Sequence, residues 1–133
     1  MKILSAEYVL PISAEPIKNG AVAIENDKII SVGTLTNLQT QFLNIPIENF
    51  GESVIMPGFV NCHSHLELSI MRGFLDEVEA DFFKWLIKLS VTRAEKLTES
   101  DIEISALLGT LEGLRAGVTC FGDIGRFGKA GFE

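Results

Sequence analysis

The chain has 133 residues, 47% of them hydrophobic and 22% charged. That is close to the globular average and excludes intrinsic disorder as the main description. Eleven Lys and Arg against eighteen Asp and Glu give a net charge of −7, which disfavours a nucleic-acid partner gripped by its phosphates. The two cysteines, Cys62 and Cys120, are too few for a disulfide framework, so a reducing, cytoplasmic setting is expected. No apolar stretch approaches the roughly 20 residues that span a bilayer. Glu7 interrupts the first apolar run and no small-residue cleavage site follows, so neither a membrane partner nor a signal peptide is expected.

The first 56 residues read as β. Lys2 to Leu10 is an apolar run that ends at Pro11. Residues 21–25 and 28–32 are β-branched runs joined by Asn26-Asp27. Both joining residues tolerate positive φ, so the pair predicts a tight hairpin, and Gly33 closes the second run. Residues 34–43 suit one or two helical turns, and 45–50 and 52–56 suit short strands around Gly51.

From Pro57 the pattern changes to strand, long loop, two helices, strand. Phe59 to Cys62 reads as a buried strand running into His63-Ser64-His65. Phe82, Phe83, Leu86 and Leu89 recur at helical spacing; Phe82, Phe83 and Trp85 read as core in preference to the lining of a heterocycle pocket. Thr98-Glu99-Ser100-Asp101 is a helix start, with a capping hydroxyl and acids in the first turn. Ile104, Leu107, Leu108, Leu111 and Leu114 form one apolar stripe on that helix. Arg115-Ala116-Gly117 is a stop, and Val118 to Phe121 is a strand ending near Gly122-Asp123. Strand, helices, strand in one direction is a βαβ unit, which implies a parallel pair. A further helix is expected to begin around Lys129, so Glu133 does not read as a natural domain end.

The chain's two histidines are His63 and His65. Residues i and i+2 of a strand share a face, so both imidazoles would converge on one point, as ligands of a single zinc or iron ion would. Cys62 and Ser64 would face the other way, into packing. An H-x-H pair taken alone also fits a surface pair or two satisfied core polars. Glu67 follows two residues later and, on the residues alone, reads as a carboxylate on the rim or one paired with Arg72. Asp123, at the next strand end, reads as a cap in preference to a site residue. The charges from Arg93 to Asp101 read as a solvated helix junction.

The run Pro57-Gly58-Phe59-Val60-Asn61-Cys62-His63-Ser64-His65 resembles the amidohydrolase superfamily, whose first barrel strand carries P-G-[FL]-[VI]-[ND]-x-H-x-H. The phrase Leu114-Arg115-Ala116-Gly117-Val118-Thr119 is similar to that family's helix-to-strand passage. Within the superfamily, His63 to Ser69, Met71-Arg72-Gly73 and Phe83 to Leu86 are similar to the deaminase and chlorohydrolase branch, including its aminofutalosine-deaminase-like members. The resemblance implies an α/β chain: a β-sandwich segment over 1–56, then the first βα units of a truncated (β/α)8 barrel over 57–133. A complete barrel needs about 200 residues or more.

It also implies a metal-dependent hydrolase of C–N or C–Cl bonds in a small heterocycle such as an aminopurine derivative. His63 and His65 would be two ligands of one divalent ion, zinc or iron, with Glu67 facing the substrate and self-association a further expectation. Adenosine-type members carry a ribose-contacting acid where this chain has Val91-Thr92-Arg93-Ala94, which argues against a nucleoside. No third histidine and no catalytic acid-base residue of the family falls within these residues, so the segment alone is expected to be inactive. Two alternatives stand beside this reading. One is a cyclic-amide hydrolase of the same superfamily, like dihydroorotase or imidazolonepropionase. The other is a non-catalytic β module whose open edge is covered by a partner.

Overall fold

The structure, a computed structural model, describes residues 1–78 and 80–125. The helix expected around Lys129 lies outside those residues. The chain divides into two units, Met1–Pro57 and Gly58–Glu133, and each is described by itself.

In the first unit one mixed sheet is built around β1 (Lys2–Val9). β2 (Ile17–Glu25) pairs with it antiparallel and β3 (Lys28–Thr34) pairs with β2. On the other side of β1 lie β4 (Ile47–Asn49) and β5 (Val54–Ile55), both parallel to it. The hairpin forms where Asn26-Asp27 predicts it: Glu25 pairs with Lys28 and Asn26 takes the positive φ of 56°. Gly51 turns the chain between β4 and β5 at φ 65°, which costs glycine little. The helical turns expected over 34–43 are α1 (Leu35–Gln41), capped by the Thr34 hydroxyl, which accepts from Asn37 N–H at 3.3 Å. Leu38 of α1 packs on Ile3, Ala21 and Ala23, with Leu35, Phe42 and Ile45 around them. The alternation of β1 is what delivers Ile3 to that face.

In the second unit β6 (Phe59–Ser64) and β7 (Val118–Asp123) are parallel neighbours. A parallel pair needs a crossover. Here it consists of a 3₁₀ turn over Leu66–Met71, a shorter one over Asp76–Val78, α2 (Phe82–Glu95) and α3 (Glu99–Arg115). The 3₁₀ turns occupy the segment that reads as a long loop in sequence.

α3 begins with a reciprocal capping box. The Thr98 hydroxyl accepts from Asp101 N–H at 3.2 Å, and Thr98 N–H donates to the Asp101 carboxylate at 2.8 Å. The Thr98 hydroxyl also donates to that carboxylate at 2.7 Å. These bonds hold the Asp101 carboxyl below its ordinary value, the side-chain bond being the largest cause. Gly117, at φ 85°, ends the helix at the stop expected there.

Burial in this unit corrects three expectations. Phe59 and Val60 of β6 are exposed, not buried, because among the described residues β6 has one neighbouring strand and no layer over these side chains. The stripe from Ile104 to Leu114 on α3 is exposed too; the buried face is Ile102, Ser105 and Ala106. Ser105, Ala106 and Gly109 on this side are small, and the 3₁₀ turn lies close against them: a Cβ on Gly109 would run into the Ser69 hydroxyl. On α2 only Leu89 is buried, and Phe83 is 72% exposed. Phe82 meets Phe83 edge-on at 5.7 Å and stacks on Trp85 at 6.1 Å, a local aromatic cluster in place of a core.

Ser105, wholly buried, is the bolt between α3 and the 3₁₀ turn. Its hydroxyl donates to Leu66 C=O at 2.9 Å and accepts from Ile70 N–H at 2.9 Å. Ser105→Ala strands both backbone groups and is expected to destabilise this unit by about 1–3 kcal/mol, read as a lowered urea midpoint. Thr98→Ala is expected to cost about 1 kcal/mol. The Asp101 carboxyl is depressed in the folded state, so its contribution is complete above the ordinary carboxylate range. It is lost as pH falls through the folded value, which an NMR titration of Asp101 beside α3 stability would follow.

Candidate metal centre

β6 carries His63, and His65 follows one residue past the strand end. Both side chains are exposed. Their rings stand edge to face, 80° apart in plane, with centroids 5.1 Å apart. Two imidazoles on one tetrahedral ion at about 2.0–2.1 Å would have centroids about 5 Å apart. The spacing and the nitrogen donors therefore fit a shared zinc or iron ion. Among the described residues no group of three or more His, Cys, Asp and Glu could hold an ion, so the pair could supply two ligands of a larger set. Cys62 is exposed and not turned into packing, since that face of β6 carries no layer among the described residues.

The strand ends are tied together by Asp123. Its Oδ1 accepts from Leu66 N–H at 2.9 Å, and Ile124 N–H donates to Ser64 C=O at 2.8 Å. Ser64 Oγ lies 3.3 Å from Gly122 C=O and 3.5 Å from Asp123 Oδ1. Asp123 thus acts as a cap, as its strand-end position suggests, and it fixes the backbone just after His65. Gly122 permits the strands to close at this point, because a Cβ there would meet Cys62 C=O at 2.7 Å.

Glu67 is not on a rim and not paired with Arg72. Its side chain is 4% exposed and its Oε1 lies 3.3 Å from Arg93 Nη1, on a side chain 14% exposed. Arg93 is therefore half-buried and engaged, which corrects its assignment to a solvated junction; Asp101, from the same stretch, is spent on the α3 cap. Arg72 instead grips Glu112 through Nη1 and Nη2, each at 2.7 Å from a carboxylate oxygen. Those hydrogen bonds raise Arg72 and lower Glu112 from their ordinary values. The pair is exposed and contributes little to stability.

Beside His65 opens a pocket of about 410 Å³, a size that suits a small ligand. Buried Met71 and Leu89 lie against it with Trp85, and Ser69, Arg72 and Asp76 supply its polar edge. Of the aromatic cluster, Trp85 takes the pocket-lining place that its spacing made the second reading, and Phe82 and Phe83 do not line this pocket. Asp76 carries no motif of its own, and Met71 enters the sequence reading only through the Met71-Arg72-Gly73 resemblance. The course of the 3₁₀ turns beside α2, which no periodicity announces, brings them to this pocket.

The sequence profile described as the Amidohydrolase family matches residues 54–131. The 5-methylthioadenosine/S-adenosylhomocysteine deaminase of Nitratidesulfovibrio vulgaris strain Hildenborough is 35% identical over 108 residues, covering 81% of this chain and 24% of that protein. The 5′-deoxyadenosine deaminase of Methanosarcina mazei is 36% identical over 124 residues, covering 92% of this chain and 27% of that protein. Among solved structures, a zinc-bound adenosine deaminase from Xanthomonas campestris superposes with a TM-score of 0.79 at 23% identity, over 97% of this chain and 30% of that one. Helicobacter pylori aminofutalosine deaminase in complex with methylthio-coformycin gives 0.71 at 22% identity, over 92% and 29%. The chain thus spans about a quarter to a third of the proteins it matches. The mixed α/β fold agrees with theirs, and the profile covers more than half of the residues: the chain belongs to the amidohydrolase family.

Proposed function

We propose that this chain is the N-terminal part of a metal-dependent hydrolase that cleaves the C–N bond of an amino-substituted heterocycle, such as an aminopurine derivative. The observation that carries the reading is the His63–His65 ring pair at the end of β6. The names of the relatives support the bond type, since both are deaminases of adenosine derivatives. In this reading the sheet over 1–56 is one layer of a β-sandwich, and β6, the crossover helices and β7 begin a (β/α)8 barrel.

His63 and His65 supply two ligands of one divalent ion, zinc being favoured by the zinc-bound neighbour, and residues outside 1–133 complete the set. When bound, such an ion supplies Lewis-acid chemistry that makes water a nucleophile near neutral pH. The chain's own residues do the rest. Asp123 fixes the segment that carries His65, the Met71–Leu89–Trp85 wall takes an apolar ring face, and Glu67 accepts a hydrogen bond from the substrate. The segment alone holds two ligands where a catalytic zinc site takes three, and is inactive.

The full-length protein is expected to contain one divalent ion per chain by elemental analysis and to release ammonia from an aminopurine. His63→Ala with His65→Ala is expected to abolish the metal and lower turnover by more than the roughly 100-fold that outer partners of a ligand are worth. Unchanged metal content and turnover in that variant would overturn the assignment. Opening of cyclic amides without ammonia release would move the chemistry to the dihydroorotase-like reading. The isolated 133-residue chain is expected to release no ammonia in the same assay, with or without added zinc.

A further inference from the structure

Glu67 is buried and Arg93 half-buried against it, and nothing in the site described so far requires the arginine. Replacing a buried ion pair by apolar side chains is often neutral or stabilising, so packing alone is a weak reason for the pair. Its geometry is also lopsided. Elsewhere in the unit Arg72 holds both oxygens of Glu112. Arg93 holds only one oxygen of Glu67, Oε1, through Nη1. Oε2 is buried and has no hydrogen-bond partner among the described residues. A buried carboxylate oxygen without a donor is costly and calls for one.

The position of Oε2 says where that donor would come from. A Cβ on Gly125 would lie 2.8 Å from Glu67 Oε2 and 2.7 Å from Asp123 Oδ2. Oε2 therefore sits at the C-terminal ends of β6 and β7, the end at which His63 and His65 stand, and where open α/β sheets bind their ligands. Asp123 Oδ2 already accepts from Gly125 N–H at 3.3 Å. Glu67 Oε2 does not share that donor.

We propose that Arg93 is a positioning residue: it fixes the Glu67 carboxylate through Oε1 and so presents Oε2 as a desolvated acceptor for an N–H or O–H group of the substrate. This rests on the heterocycle-hydrolase reading above. A guanidinium suits the task because its rigid plane sets the plane of the carboxylate, which an ammonium does not.

The test uses the full-length protein and three readouts: calorimetric affinity for a panel of aminopurines and their nucleosides, the KM and kcat of ammonia release, and the melting temperature. Arg93→Ala alone leaves Glu67 charged, buried and uncompensated, and so endangers the fold. The variant to use is Arg93→Met with Glu67→Gln, which removes both charges and keeps the volumes. It is expected to melt near the wild-type temperature. Its ligand affinity should fall, and its KM rise, by roughly tenfold or more, the scale of one charge-assisted hydrogen bond, with kcat changed far less. Arg93→Lys is expected to recover part of that loss.

A folded double variant with wild-type affinity and KM would overturn the proposal, since a purely structural pair predicts that result. A wild-type protein that binds an aminopurine without releasing ammonia sinks the hydrolase reading alone, and the same variants then decide the role of Arg93 by affinity. A wild-type protein that binds no member of the panel overturns both.

Discussion

Parallel pairing of β6 with β7 is the constraint on which the second unit depends. Two strands that run the same way cannot be joined by a turn, so the chain must leave the end of β6 and return to the start of β7. That detour creates the 3₁₀ turns, α2 and α3, and it gathers two strand ends at one edge. His63 and His65 stand at one of them and Asp123 at the other. The bond from Leu66 N–H to Asp123 closes the edge. It fixes the backbone just after His65 from the β7 side, while Ser105 holds the Leu66 carbonyl from the α3 side.

The material packed around this edge is unusually polar. Glu67 and Ser105 are buried beside the 3₁₀ turn, together with Met71, Leu89, Ile102 and Ala106. A polar centre of this kind contributes less to raw stability than an apolar one, but it permits fewer arrangements, because each hydrogen bond has a defined partner and direction. Ser105 illustrates the point: a single hydroxyl reads both the donor of Ile70 and the acceptor of Leu66. A slide of α3 along the turn would break both bonds together.

Much of the fold was legible in the residues, for physical reasons that differ from element to element. Asn26-Asp27 marks a hairpin because the demand for positive φ is local. Thr98 and Asp101 mark a helix start because a capping box spans four residues. The H-x-H pair was legible as convergent because strand parity is local too, and the structure brings the rings together. What sequence did not disclose is which face meets which. The leucine stripe of α3 has the pattern of a buried face, yet the face of Ile102, Ser105 and Ala106 is the one covered. The difference lies in tertiary contact, which periodicity does not encode. β2 likewise starts at Ile17, earlier than its β-branched run, because Tyr8 and Val9 of β1 pair with Lys18 and Ile17. The partner of Glu67 was hidden for the same reason. Arg72 is nearer in sequence, but the register of α2 delivers Arg93.

The central position of β1 has a consequence for how the first unit comes into being. β1 lies first in the chain, and its antiparallel edge is filled early by β2. Its other edge waits: Ile3 to Ser5 pair with Ile47 to Asn49, and Tyr8 and Val9 pair with Val54 and Ile55. Until those residues emerge from the ribosome, the nascent chain carries a strand edge with unmet hydrogen-bonding groups, which is the form most open to wrong pairing. The β2–β3 hairpin can close on its own, whereas the last contacts of β1 must first overcome the entropy of a long loop. Assembly of this sheet is thus ordered by topology, with the hairpin as its early template and β5 as the strand that ends the exposure.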